Sequence, residues 1–261
     1  MRCPTRILAC LAVAALALIS TSGCTTVPET GRSQFNLFSL NQEAELGARA
    51  YSEILAQEKL STDRKANEML QRVGTRIATV SSQPDWAWEF KLIESEQANA
   101  FCLPGGKVAV YTGILPYTRN EAGLAAVVGH EVAHAIARHG GERMSQQTLI
   151  QGGAIAVDAI VGGQAEEVRD IVNTAYGLGS TTLVILPYSR DHESEADTIG
   201  TLYMARAGYD PHEAIELWKR MPAGGGLEWL STHPSNETRI RNLEELMPRA
   251  FDEYRRSKFR Q

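Results

Sequence analysis

The sequence predicts an α+β domain, mainly α-helical, with one small β-sheet beside a helix that carries two histidines one turn apart. Three observations predict it. Apolar residues recur at helical spacing in five stretches, residues 41–60, 64–81, 120–139, 189–209 and 235–250. Strand-like alternation is confined to Trp86–Ile93, with a Pro104-Gly105-Gly106 turn and a returning stretch Lys107–Tyr111 close behind. The string His130-Glu131-Val132-Ala133-His134 lies inside a markedly apolar helical stretch, VVGHEVAHAIARH.

At the start of the chain, Arg2 and Arg6 precede an apolar run from Ile7 to Ile19. That run is too short to span a bilayer and has the length of a signal-peptide core. Thr21-Ser22-Gly23-Cys24 follows and resembles a bacterial lipobox, with Thr21 where leucine is usual. Residues 1–23 are therefore expected to be a lipoprotein-type signal peptide, with Cys24 as the lipidated N-terminus; ordinary signal cleavage near Gly23 is the alternative. Thr25 after the cysteine suggests, by resemblance to bacterial sorting rules, the outer membrane. A multiply acylated cysteine suffices for stable anchoring. Residues 24–40 read as the lipidated cysteine and a polar tether ending in a few docking apolar residues, and 41–261 as the folded domain. Cys3 and Cys10 leave with the leader, so Cys102 is the one remaining free thiol, with no intramolecular partner; burial is its expected state and a mixed disulfide with another protein the alternative.

The domain is long enough to bury a core without disulfides. Its composition, 43% hydrophobic and 22% charged, is that of an ordinary globular protein. The formal net charge is −5, and it becomes more acidic once Arg2 and Arg6 are removed. This argues against a nucleic-acid partner and against broad contact with anionic lipid.

In chain order, helical patterns start at Asn41 and Arg64, Pro84 breaks the second, and the small sheet follows. Asn120 is the expected N-cap of the next helix, with Glu121 in its first turn and Gly140-Gly141 as its stop. His139 reads as a C-terminal helix residue. On this helix His130 and His134 share a face, one turn apart, and can share one metal ion with Glu131 beside its water. The apolar surroundings argue that these polar groups are buried for a reason. Zinc needs a third protein ligand. Glu193 and Asp197 lie four apart on the helical stretch 189–209, whereas Glu195 points roughly 200° away from Glu193. Spacing alone leaves open whether Glu193 is a ligand, with Asp197 orienting a histidine, or whether both belong to an acidic helix start. Residues 142–186 read as helices joined by Gly-containing turns over the site, either a lid or, alternatively, a membrane-touching hairpin. A short helix is expected over 211–221, a flexible loop over 223–226, a last helix over 235–250, and a frayed basic tail.

HEVAH, ESEAD within YSRDHESEADTIG, THPSNETRI and NAFCLPGGKVAVYTGIL together resemble the HtpX-like and CAAX-prenyl-protease-like zinc metallopeptidases, in particular the periplasmic BepA/LoiP type. The resemblance covers roughly residues 40–250. It implies a zincin-like fold and one Zn2+ per chain, held by His130, His134 and Glu193. Glu131 becomes the general base and Asp197 the carboxylate behind a ligand. His233 and Arg239 become candidates for stabilising the oxyanion or for gating, and His233 also for reaching the zinc and holding the enzyme latent; the alternative is that His233-Pro234 simply starts a helix. Residues Ala98, Asn99, Ala100 and Phe101 would form the edge that binds substrate backbone as an added strand. The implied function is peptide-bond hydrolysis on misfolded or unassembled envelope proteins, on the periplasmic side of the bacterial outer membrane. The alternative is an outer-membrane assembly chaperone with weak or latent peptidase activity. Oligomeric state is left open.

Overall fold

The computed structural model describes residues 24–150, 189–221, 228–233 and 237–260. The expected signal peptide, most of the expected lid and the 223–226 loop lie outside these residues. Among the described residues the fold is mainly helical, as the sequence predicts, with two small sheets where the sequence predicts one.

The stretch read as a tether is instead a packed hairpin. Strand β1 (Cys24–Thr26) pairs antiparallel with β2 (Ser33–Phe35). Gly31, at φ +71, supplies the left-handed backbone of the turn. Val27, Gln34, Asn36 and Phe38 are buried, so the segment lies against the domain. Helix α1 (Leu40–Gln57) starts one residue before the expected Asn41. It is closed by a capping box in which Ser39 and Gln42 satisfy each other's backbone amides. Helix α2 (Arg64–Val80) is capped by Asp63, whose side chain accepts from the Ala66 amide at 3.0 Å.

The second sheet has the order β3 (Glu89–Ile93), β5 (Lys107–Tyr111), β4 (Ala100–Leu103). β4 and β5 form the expected antiparallel hairpin, and β3 joins β5 in parallel. Trp86 and Trp88, expected in the strand, precede it. The Trp88 ring stacks on Phe90, and its indole N–H donates to the Gln83 carbonyl. Both faces of the sheet are covered. Val108, Val110, Ala100 and Cys102 face the main core, while Ala109, Tyr111, Phe101 and Leu103 pack against Leu46, Ala50 and Tyr51 of α1. Truncating a side chain as buried as Leu92 in such a layer costs about 2–5 kcal/mol.

After a 3-10 turn (Thr112–Ile114) and a one-turn helix α3 (Leu115–Thr118), helix α4 (Glu121–Ile136) runs through the centre of the domain. Asn120 caps it as expected, accepting from the Gly123 amide at 2.8 Å. Every residue from Gly123 to Ile136 is buried. The helix does not run on to the glycine pair. It breaks at Arg138, which takes a positive φ of 56°. The Arg138 side chain is held there by Glu43 of α1 at 2.8 Å and by the Phe38 carbonyl at 2.6 Å. Helix α5 (His139–Ile150) begins at once, so Gly140 and Gly141 lie in its first turn. A Cβ at Gly141 would run into the Glu43 carboxylate, so this glycine serves a close approach and not a helix stop.

Helix α6 (Arg190–Arg206) is capped by Ser189 and packs along α4. Helix α7 (His212–Arg220) is followed by the short α8 (Glu228–Thr232) and the final α9 (Glu237–Arg256). α9 runs past the expected Ala250, with Pro248 inside it. The basic tail is docked: Ser257 donates to the Arg206 carbonyl at 2.6 Å, and Arg76 lies over the Phe259 ring. No helix among the described residues is long and apolar enough to cross a membrane.

Candidate metal centre

The site is built where α4 crosses α6. The two helices touch through glycines. A Cβ on Gly129 would lie 2.8 Å from the Gly200 carbonyl oxygen, and one on Gly200 would lie 2.7 Å from the Gly129 carbonyl carbon and from the His130 amide. This approach sets His130 and His134 of α4 directly against Glu193 and Asp197 of α6. Neither glycine stands out in the sequence reading, although Gly129 immediately precedes the HExxH string.

Four buried side chains converge there: His130, His134, Glu193 and His233, each offering one donor atom within 4.8 Å of the others. His130 Nε2 and His134 Nε2 are 3.1 Å apart, and His130 Nε2 is 3.2 Å from His233 Nδ1. Glu193 Oε1 lies 3.0 Å from His233 Nδ1 and 3.4 Å from His134 Nε2. A tetrahedral zinc with bonds of about 2.0–2.1 Å has donor–donor edges of about 3.3–3.4 Å. The observed separations bracket that edge, and three imidazoles with one carboxylate form a donor set that zinc accepts. The residues present therefore fit the ion.

The groups behind the donors fix their orientation. His130 Nδ1 lies 3.1 Å from Asp197 Oδ1, so that a ring protonated at Nδ1 alone would be backed by this carboxylate and would turn its Nε2 lone pair to a metal. Asp197 in turn accepts two hydrogen bonds from Arg239, at 2.6 and 2.7 Å, and Arg239 Nη1 reaches Glu193 Oε2 at 2.7 Å. Arg239 is 1% exposed, and its guanidinium lies 3.8 Å over the Trp218 ring. It thus stands behind the ligands, with its donors turned to their carboxylates. The expectation that it faces a developing oxyanion is corrected to this supporting position. Its sequence spacing from His233 could not reveal which way the fork points.

The electrostatics of the metal-free site follow from this packing. Burial alone would lower the His130 pKa, but hydrogen bonds to Asp197 and Glu193 raise it to about 9. Burial holds His134 well below its ordinary value despite Glu193. Burial would raise Glu193, yet the charges of His233 and Arg239 bring it well below the usual carboxylate range. Asp197 is likewise lowered, against burial, by Arg239.

Glu131 is 3% exposed and accepts from the indole N–H of Trp229 at 2.7 Å. His233 Nε2 lies 3.6 Å from the same carboxylate oxygen. The Trp229 backbone amide donates to the Ala98 carbonyl at 3.1 Å. Helix α8 therefore engages the expected substrate edge, Glu131 and the fourth donor position at once. β4 is an edge strand, but Ala98, Ala100 and Phe101 are buried, and Phe101 packs edge-on against Tyr51. Asn99 accepts from the Ala100 amide and shapes the turn into the strand. Trp229 carries no motif spacing, so nothing in the sequence marks it.

His139 is also misplaced by the sequence reading. It is fully buried at the head of α5, with Nδ1 2.9 Å from His134 Nδ1 and Nε2 2.9 Å from Glu195 Oε2. Glu195 does turn away from Glu193, as expected, and is employed on the other side of His134.

A family model for peptidase family M48 matches residues 64–247. The mitochondrial metalloendopeptidase OMA1 of Schizosaccharomyces pombe is 38% identical over 232 residues, covering 86% of this chain and 66% of the relative. A putative beta-barrel assembly-enhancing protease of Vibrio cholerae is 30% identical over 253 residues, 93% of this chain and 52% of the relative. The beta-barrel assembly-enhancing protease of Escherichia coli is 26% identical over 224 residues, 82% of this chain and 46% of the relative. The chain spans about two thirds or less of the length of the curated relatives it matches. The similarity therefore takes in mitochondrial as well as bacterial proteins and is broader than the periplasmic type expected.

Proposed function

The chain belongs to peptidase family M48, and we propose that it is a zinc-dependent endopeptidase acting on misfolded or unassembled proteins of the bacterial envelope. The observation that carries this reading is the buried donor set of His130, His134, Glu193 and His233 with Glu131 beside it. A structural zinc site has no use for an adjacent buried carboxylate, whereas hydrolysis needs one as base.

When bound, zinc would polarise the scissile carbonyl and make the attacking water more acidic. His130, His134 and Glu193 would hold the ion. Asp197 and Arg239 keep the His130 ring and the Glu193 carboxylate in their binding orientation. Glu131 takes the proton from the attacking water and returns it to the leaving amine. The Ala98–Phe101 edge accepts the substrate main chain, a mode that tolerates many sequences and suits unfolded clients.

A second reading concerns the resting state. The Trp229 contacts to Glu131 and Ala98, with His233 as fourth donor, favour an enzyme held latent by α8. This joins the peptidase reading to the alternative of an assembly factor that cleaves rarely. The lipobox at Cys24 and the similarity to beta-barrel assembly-enhancing proteases support attachment to the periplasmic side of the outer membrane.

The test uses the chain from residue 25 onward, purified and assayed for zinc content and for cleavage of casein beside Glu131→Gln. One zinc per chain, with cleavage reduced at least about 100-fold in the variant and metal retained, is the expected result. A wild-type protein without zinc overturns the proposal. Equal cleavage by both proteins removes Glu131 from its role.

A further inference from the structure

The metal ligand His134 is the start of a continuous hydrogen-bonded path that leaves the site on the side away from Asp197. For His134 to offer its Nε2 lone pair to a metal, its proton must sit on Nδ1. That nitrogen is 2.9 Å from His139 Nδ1, which then accepts, so the His139 proton lies on Nε2 and is donated to Glu195 Oε2, also at 2.9 Å. Each step fixes the next tautomer, and the order cannot be reversed while His134 binds metal.

The path ends on the N-terminal hairpin. Glu195 accepts from the Thr30 hydroxyl and from Arg32 Nε at 2.7 Å. Arg32 extends its two terminal nitrogens to Glu142 of α5, at 3.2 and 2.9 Å, and Glu142 is also 3.0 Å from His192 Nε2. The His139 and His192 rings stack at 4.3 Å. A single guanidinium thus bridges the two carboxylates that hold the two stacked histidines. Without Arg32, two carboxylates would face each other in a largely buried pocket, and the like charges would push Glu195 off His139. His130 is supported from within the core by Asp197 and Arg239; His134 is supported from the turn of the β1–β2 hairpin.

We propose that the hairpin is a positioning element of the metal centre, in which Thr30 and Arg32 act through Glu195 and His139 to orient His134. The proposal rests on the metal reading of the site but not on peptide cleavage.

The experiment measures zinc affinity by competition with a chromophoric chelator, and the d–d absorption of the cobalt(II)-substituted protein, on the chain from residue 25 onward. Glu195→Ala should weaken zinc about 10- to 100-fold, the usual effect of removing the carboxylate behind a ligating histidine. Arg32→Ala should weaken it by less, about three- to tenfold, and shift the cobalt bands, while Arg32→Lys, which keeps a cation between the carboxylates, should recover most of the loss. The control is Arg206→Ala. Arg206 ties the same hairpin down through Glu29, at 3.2 Å, without touching the path, so its loss should leave zinc affinity and the cobalt spectrum unchanged. Should Glu195→Ala fail to fold, the two substitutions at the partly exposed Arg32 still decide. Wild-type zinc affinity and cobalt spectrum in Arg32→Ala would overturn the proposal. So would an equal loss in Arg206→Ala, which would reduce the effect to general anchoring. A wild-type chain that binds no zinc would refute both this proposal and the peptidase reading. Zinc binding that responds to Arg32 in a chain that cleaves nothing would refute the peptidase reading alone.

Discussion

Replacing Gly200 by alanine tests whether the close approach of α4 and α6 sets the metal geometry. The new Cβ would lie 2.7 Å from the Gly129 carbonyl carbon and the His130 amide, whereas ordinary contact begins at 3.4 Å. The obstacle is main chain, so no rotamer change relieves it, and the helices must part by about 0.7 Å. Glu193 sits on one helix and the HExxH histidines on the other, 3.4–3.5 Å apart. A metal site tolerates about 0.2 Å in its ligand distances. Overpacking of this kind costs about 3 kcal/mol. Alanine returns about 1 kcal/mol in helix propensity, which leaves a net loss of about 2 kcal/mol. For a domain of this size that lowers Tm by about 4–8 °C. If about 1.4 kcal/mol of the strain is carried by the ligands, zinc binds about tenfold more weakly. Thermal unfolding of the metal-free protein by circular dichroism, with chelator competition for the affinity, measures both. Helix propensity alone gives the opposite sign, so a Tm above wild type with unchanged zinc affinity would refute the reasoning.

Four further outcomes follow from the site. His233→Ala should raise casein cleavage while weakening zinc, because it removes the fourth donor and loosens α8; unchanged values of both would exclude His233 from the site. Arg239→Met leaves the buried carboxylates of Glu193 and Asp197 without their cation and should cost about 3–5 kcal/mol in the metal-free protein, read by urea unfolding. In that protein, stability should fall as the solution is acidified. His139, buried neutral with a pKa of about 4, begins to oppose folding below its unfolded value of 6.5. The stability from Glu142 and Glu195 is present above pH 4.5 and is lost as pH falls through about 2. A Tm flat from pH 7 to 3 would contradict these shifts. Cys102 is buried, and burial pushes its thiol well above the ordinary value. It should therefore react with Ellman's reagent only at the rate of unfolding, and rapid labelling of the native protein would place it elsewhere.

The sequence was most legible where local chemistry and burial agree. Asn120 marks the start of α4, Pro104-Gly105-Gly106 the β4–β5 turn, and the i, i+4 spacing of His130 and His134 their shared face. It was less legible where a local signal served a distant partner. Gly140-Gly141 resembles a stop, but Gly141 makes room for Glu43, and the break falls on Arg138, a residue held in positive φ by two long-range contacts. Residues 25–40 are polar enough to read as a tether because Gln34 and Asn36 are buried polar groups, which composition cannot distinguish from solvated ones. His139 and Trp229 sit at no informative spacing from their partners, since their roles depend on how α5 and α8 dock.

The donors of the metal centre come from three stretches of chain: His130 and His134 on α4, Glu193 on α6, and His233 beyond α8, with Arg239 after that. During synthesis the HExxH helix emerges long before the rest. Until α6 has folded against it, the nascent chain has two imidazoles and no carboxylate to complete the site, and the ion can be held only weakly. Arg239, the cation set against Glu193 and Asp197, leaves the ribosome later still. The site is therefore complete only once the chain through Arg239 has been made and folded, so it depends on contacts between distant stretches and not on the HExxH helix alone.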